Sequence, residues 1–286
     1  MTVLEAIQRS AEFLARKGVD SPRLQAELLL AHLLKLPRMR LYLNFERALE
    51  SGEVNAFREL IRRRGQREPL QYIVGTTSFC GLEIAVNPHV LVPRPETELL
   101  AERGWQFLNQ LRDENGAAAL DIGTGSGCLA IALAVKCPQA QFQAVERSPE
   151  ALAVARQNAE RHGVAERVQF LQGDGFAGVP AGSTFELIIS NPPYIAAAEL
   201  ETLQPEVSRH EPRLALDGGA DGLDFFRRMA AEAGPFLKAG GRLMLEFGDG
   251  QGEALREIFE RQKWIVEAFH EDYTQRLRIV VVKRDS

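Results

Sequence analysis

Apolar positions change their spacing along the chain. After Thr2-x-x-Glu5, a capping box, Val3, Leu4, Ile7, Ala11 and Leu14 recur on one face of a predicted helix. Ser21-Pro22 starts a second helix, whose Leu24, Leu28, Leu29 and the leucines up to Leu34 are too apolar for it to stand alone. Further helical stretches run to about Arg64, which predicts a small helical bundle. From Tyr72-Ile73-Val74 through Gly75, Phe79 and Gly81 to Leu82-Glu-Ile-Ala-Val86 the spacing becomes alternation, and a β-hairpin connector is expected. Beyond Glu96 strands and helices alternate. Apolar runs at Leu120, 142–145, 168–171, 187–189 and 242–247 predict five strands on a parallel plan, and the last two runs, 264–270 and 276–282, have no helix between them, so a closing antiparallel hairpin is expected. The fold class is α/β, a doubly wound Rossmann-like sheet preceded by a helical bundle, with expected boundaries at 1–72, 73–90 for the hairpin linker, and 91–286.

The corner after the fourth predicted strand carries the most chemistry. It reads Asn191-Pro192-Pro193-Tyr194. Consecutive prolines fix φ and remove two backbone donors, so the carbonyls of Asn191 and Pro192 are free acceptors, while Tyr194 offers a flat face. These features suit a planar NH2 group, an amide or a nucleobase, that donates two hydrogen bonds and stacks on the ring. Taken alone, the tetrapeptide also reads as an ordinary rigid turn.

A strand entering Asp121-Ile-Gly123-Thr124-Gly125-Ser126-Gly127 ahead of an apolar helix makes a nucleotide-type loop, with glycines for close approach and unpaired N–H groups behind them. A dinucleotide loop would place a glycine at 128, where this chain has Cys128. Asp121 would repel a pyrophosphate, which favours a cationic or zwitterionic ligand such as S-adenosylmethionine. Glu146 ends the next strand about 20 residues on, at the position that takes ribose hydroxyls in doubly wound folds. Gly173-Asp174-Gly175-Phe176 follows the third strand, and Asp174 is placed to accept from an adenine amino group or to stand as a solvated turn carboxylate.

These residues resemble class I S-adenosylmethionine-dependent N-methyltransferases. Residues 69–75, the stretch Val90-Leu-Val-Pro-Arg94-Pro-Glu96-Thr-Glu98, and Glu211-Pro-Arg-Leu-Ala-Leu-Asp-Gly-Gly-Ala-Asp221-Gly-Leu narrow the resemblance to the protein-(glutamine-N5) methyltransferases of peptide chain release factors. It runs through nearly the whole chain. It implies S-adenosyl-L-methionine as cofactor, S-adenosyl-L-homocysteine as product, and as substrate the glutamine of a release factor's Gly-Gly-Gln motif. Gly123, Thr124, Gly125, Ser126, Gly127, Glu146, Asp174, Gly175 and Asn191 are expected to hold the cofactor. Asn191, Pro192, Pro193 and Tyr194 are expected to bind the substrate amide, with Asn191, Pro192 and Tyr194 as the catalytic group. In the family an aromatic often follows the acidic residue, whereas Gly175 stands here, so adenine packing is expected to fall to Phe176 or another side chain.

Composition narrows the alternatives. A chain of 286 residues suggests roughly two domains of about 150. No apolar run approaches the ~20 residues of a membrane span, and the first residues do not read as a signal peptide, so the expected compartment is the cytoplasm. Three cysteines without C-x-x-C spacing and scattered histidines give no expectation of disulfides or metal. Residues 1–72 hold 13 Lys/Arg against 9 Asp/Glu, a net +4, which leaves 21 against 30, or −9, for the remainder. An acidic catalytic half argues against binding duplex DNA. The rival reading is methylation of an exocyclic amine of adenine or guanine in rRNA or DNA. Arg62, Arg63, Arg64 and Arg67 form one basic cluster, read as a solvated helix end or as a contact for an acidic partner or ribosomal RNA.

Overall fold

The structure is a computed structural model that describes residues 1–111 and 116–284. Its contacts divide the chain into two units, Met1–Thr76 with Gln204–His210, and Thr77–Leu203 with Glu211–Ser286. In the first, α1 (Val3–Arg16), α2 (Pro22–Leu34), α3 (Arg38–Tyr42), α4 (Ser51–Gly65) and α5 (Leu70–Val74) surround Ile7, Leu14, Leu29, Leu30 and Phe57, all nearly or fully buried. Thr2 and Glu5 make the expected reciprocal cap at the start of α1. The expectation of a strand at 72–74 is corrected. Pro69 precedes this segment and Gly75 ends it with φ of 88°, so the backbone is bracketed as one helical turn despite its β-branched residues.

The second unit opens with the hairpin β1 (Thr76–Phe79) and β2 (Leu82–Ala85), whose first residue belongs by contact to the bundle. Buried Asn158 ties β2 to the loop after the first sheet strand: its side chain brackets Ala85 N and O and donates to Ser126 O at 2.9 Å. After α6 (Pro95–Gln110) come β3 (Ala118–Ile122), α7 (Cys128–Lys136), β4 (Gln141–Glu146), α8 (Pro149–Arg161), β5 (Val168–Gln172), β6 (Phe185–Ser190), α9 (Pro205–His210), α10 (Asp224–Glu232), β7 (Leu237–Glu246), α11 (Gly252–Arg261), β8 (Trp264–Glu271) and β9 (Leu277–Arg284). The seven-stranded order is β5-β4-β3-β6-β7-β9-β8, with β3 to β7 parallel and β8 and β9 antiparallel. Chain order reverses between β3 and β6. The loops that follow these strands, the glycine loop and the proline corner, therefore lie side by side at their carboxyl ends, where open α/β sheets bind ligands. Phe226 and Met229 of α10 and Leu255 and Phe259 of α11 pack on one face of the sheet against Leu120, Ile188 and Leu243.

α9 joins the first unit, where it settles the basic cluster. Arg64, nearly buried, donates to Glu206 at 2.6 Å and to Gln25, and Arg67 donates to the same carboxylate at 2.7 Å. Arg62 pairs with Glu59 and Arg63 with Glu68. All four arginines thus pair with carboxylates of their own unit, as a helix end does when it complements its dipole and neighbours. Among the described residues no helix is long and apolar enough to cross a membrane.

Candidate active site

The glycine loop is shaped by its backbone. Gly123, Gly125 and Gly127 have φ of 72°, 54° and 81°, a region that favours glycine, and the N–H groups of Gly123 and Thr124 fold over to donate to Val145 O at 2.9 and 3.1 Å. A side chain at Gly127 would also place its Cβ 2.9 Å from Ile131 Cδ1 and 3.1 Å from Ala155, so this glycine lets α7 and α8 close up behind the loop. Asp121 stands behind the loop, outside the cavity wall. One oxygen accepts from Thr124 Oγ1 at 2.6 Å and from Ala130 N at 3.3 Å, while the other is buried without a partner among the described residues. Burial pushes this carboxyl up to about 7. Its influence on a ligand's charge passes through the loop it braces.

A cavity of about 670 Å³ opens beside the loop. Glu146, nearly buried on its wall, accepts from Gly125 N and from Ser148 N, each at 2.9 Å and each through a different oxygen. Both oxygens are fixed by backbone donors, and each keeps a lone pair for a further one. Asp174 is half exposed and gripped by Arg228, whose guanidinium reaches Asp174 Oδ1 and its carbonyl oxygen at 2.6 Å each. A Cβ at Gly175 would lie 2.7 Å from Arg228 Nη2, so the glycine makes room for that guanidinium. The expectation that Phe176 packs a base is corrected. Its ring is buried and stacked on Phe236 at 4.6 Å, because the turn after β5 points it into the sheet core. Val90, Leu91, Leu129 and Phe225 supply apolar wall instead.

At the corner, Asn191 and Pro193 line the cavity, Pro192 is buried, and Tyr194 is half buried against the core. Asn191 Nδ2 donates to Thr97 Oγ1 at 3.0 Å, Thr97 donates to Glu246 Oε2 at 2.7 Å, and Tyr194 Oη lies 3.4 Å from Glu246 Oε1. Glu246 ends β7 and is almost completely buried, which pushes its carboxyl up to about 7. Burial likewise raises the Tyr194 phenol above its usual range. Gly218 and Gly222 pack directly on the Tyr194 backbone, where a Cβ would come within 2.9 Å of its Cα or 2.4 Å of its carbonyl oxygen. Gln251 donates to that same oxygen at 2.9 Å. The glycines of the 211–223 motif therefore fit the corner's back.

The structure thus brings Gly123 to Ser126, Glu146, Asp174, Gly175, Asn191 and Pro193 around one cavity, whereas Gly127, Pro192 and Tyr194 do not line it. Sequence reasoning missed Thr97, Glu246, Phe225 and Arg228. Only Thr97 had a signal, the Arg94-to-Glu98 stretch itself. Arg94 in that stretch pairs with buried Glu211 at 2.8 Å, joining two motifs 117 residues apart.

Comparison with known proteins places this geometry in a family. The PrmC N-terminal domain matches residues 5–75, and the methyltransferase small domain matches residues 103–270. A release factor glutamine methyltransferase of Geobacter sulfurreducens is 49% identical over 261 residues, 91% of this chain and 89% of that protein. That of Chlorobaculum tepidum is 45% identical, covering 88% of this chain and 87% of its own length. Among solved structures, a methyltransferase from Pyrococcus furiosus aligns with a TM-score of 0.50 at 23% identity, over 72% of this chain and 90% of that one. The N-terminal domain of human METTL16 in complex with SAH aligns with a TM-score of 0.51 at 16% identity, over 72% and 77%. The structures share the fold, the sequence relatives share almost the whole chain, and on both counts this protein has the class I methyltransferase fold and belongs to the release factor glutamine methyltransferases.

Proposed function

We propose that the enzyme methylates the side-chain amide nitrogen (N5) of the glutamine in the Gly-Gly-Gln motif of peptide chain release factors, in the cytoplasm, using S-adenosyl-L-methionine. The observation that carries this reading is the Asn191 amide. Its nitrogen donates to Thr97 while the residue lines the cavity that also holds the glycine loop, so its oxygen is the end available to accept from a substrate amide.

The residues around the cavity fit the cofactor. Glu146 has two fixed oxygens with free lone pairs for ribose hydroxyls, the left-handed glycines let the backbone approach, and the apolar wall includes Phe225 for a planar base. Asp174, held by Arg228, keeps acceptor capacity for an adenine amino group. When bound, the cofactor supplies an electrophilic methyl group on a sulfonium.

An amide nitrogen is a poor nucleophile because its lone pair is delocalised into the carbonyl, so the protein's contribution is positional. Asn191 Oδ1 and the Pro192 carbonyl accept the two amide hydrogens, fix the nitrogen in line, and stabilise the positive charge that develops on it. Tyr194 packs against the amide plane. A base is not required before transfer, since the methylated nitrogen is acidic enough to lose its proton afterwards. The helical unit, with its net positive charge, serves as the docking surface for the rest of the release factor. Methylation of a nucleobase amine is less well supported, because the second half is acidic and the one basic cluster is paired internally.

Transfer of tritiated methyl from S-adenosylmethionine to purified release factor, rRNA and DNA tests the proposal. Label on the release factor glutamine is expected. Label on nucleic acid with none on the release factor overturns it.

A further inference from the structure

We infer that Glu246, acting through the Thr97 hydroxyl, decides which end of the Asn191 amide faces the cavity. It is a positioning residue, a carboxylate that acts on the Asn191 amide without itself lining the cavity. The inference rests on the proposed amide methylation and adds a cause for the polarity of its acceptor.

The number of hydrogens on Thr97 sets the orientation. Thr97 Oγ1 carries one, and it lies between Glu246 Oε2 at 2.7 Å and Asn191 Nδ2 at 3.0 Å. An ionised carboxylate only accepts, so the Thr97 hydrogen goes to Glu246. The Thr97 oxygen is then an acceptor toward Asn191, which must offer Nδ2 there and turn Oδ1 the other way. A substrate NH2 group needs that orientation. If Glu246 is neutral it donates to Thr97 itself, the Thr97 hydrogen becomes free to point at Asn191, and the reversed amide is satisfied equally well. Reversed, Asn191 presents its own NH2 to the incoming one, donor against donor. Thr97 and Glu246 are buried to within 2% and 1% exposure, so water does not offer an easy substitute partner.

The switch lies in the neutral range. Burial pushes Glu246 up to about 7. Glu96 of α6 pushes in the same direction, whereas Arg278 of β9 and the hydrogen bonds from Thr97 and Tyr194 pull it back. Arg94 and Arg278 also face Tyr194. As pH falls through about 7 the carboxylate protonates and the correctly oriented fraction declines, so kcat falls with it. Asp121 titrates in the same range and is present in every variant, so the comparison between profiles isolates Glu246.

The test uses full-length enzyme with whole release factor, measuring kcat across pH alongside affinity for S-adenosylhomocysteine. Thr97→Val removes the relay at nearly constant volume and is expected to lower kcat about tenfold or more, with cofactor affinity little changed. Thr97→Ser keeps the hydroxyl and is expected to restore most of the rate. Glu246→Gln is expected to lower kcat and to lose the part of the pH dependence that wild type shows near 7. A Ser variant no better than Val, or a Glu246→Gln profile that parallels wild type, overturns the inference. If Glu246→Gln fails to fold, the Thr97 pair decides alone. Wild-type enzyme that leaves release factor unlabelled refutes the proposed function instead, which separates the two failures.

Discussion

Asn191→Ala is expected to lower kcat by about 10²-fold or more, the usual consequence of deleting one preorganised acceptor or donor that stabilises developing charge. The substitution leaves Pro192 and Pro193 in place, so the corner's backbone and the Pro192 carbonyl persist. It also removes the Nδ2 donor 3.0 Å from Thr97 Oγ1, while Thr97 keeps its hydrogen bond to Glu246. Affinity for S-adenosylhomocysteine should change much less, although Asn191 lines the same cavity. Single-turnover methylation of release factor provides the measurement. A variant that keeps over half of the wild-type kcat would remove Asn191 from its assigned role.

Glu146→Ala should do the opposite, weakening cofactor binding far more than it lowers the rate at saturating cofactor. The carboxylate is proposed to hold ribose hydroxyls remote from the transferred methyl, so its contribution is nearly equal in ground and transition states. A loss of about 1.5–3 kcal/mol is expected, the range for a charged hydrogen bond. The structure adds a second effect. Glu146 receives Gly125 N and Ser148 N, so its removal also leaves two loop donors without their acceptor. Calorimetry with S-adenosylhomocysteine reads the result, and unchanged affinity would make Glu146 a brace of the loop alone.

Much of this was legible in the chain because its signals are local. The parallel plan followed from apolar runs buried on both faces, and the glycine loop and proline corner announced themselves by residues with few backbone options. The turn at Leu70–Val74 was misread because β-branched residues outweighed the Pro69 and Gly75 that bracket it. Glu246 could not be found, since a glutamate at the end of a strand acquires its meaning from Thr97, 149 residues earlier. Phe176 failed for the reverse reason. Its neighbour Gly175 suggested a missing aromatic, yet the direction of its ring was set by Phe236 and the sheet core. Asp174 meets Arg228, a partner that sequence spacing does not announce.

The pairing of Arg64 and Arg67 with Glu206 also bears on how the chain is made. Glu206 follows Arg64 by 142 residues, so a ribosome adding about 5–20 residues per second exposes the helical bundle for about 7–28 seconds before its carboxylate exists. During that interval a guanidinium that is nearly buried in the finished protein has Gln25 and the Glu68 carbonyl as partners but no countercharge from α9. An uncompensated charge of this kind costs about 3–5 kcal/mol, comparable with the whole stability of a small domain, so the bundle should close fully only after residue 210 has left the exit tunnel. Ribosome-stalled chains that end before residue 204 should therefore be cut readily by protease within residues 1–76, and chains stalled far enough on for residue 210 to have cleared the tunnel should resist. Equal resistance in both would show that the bundle completes itself without α9. Although it comes first in the sequence, the N-terminal unit would on this account be finished late in synthesis.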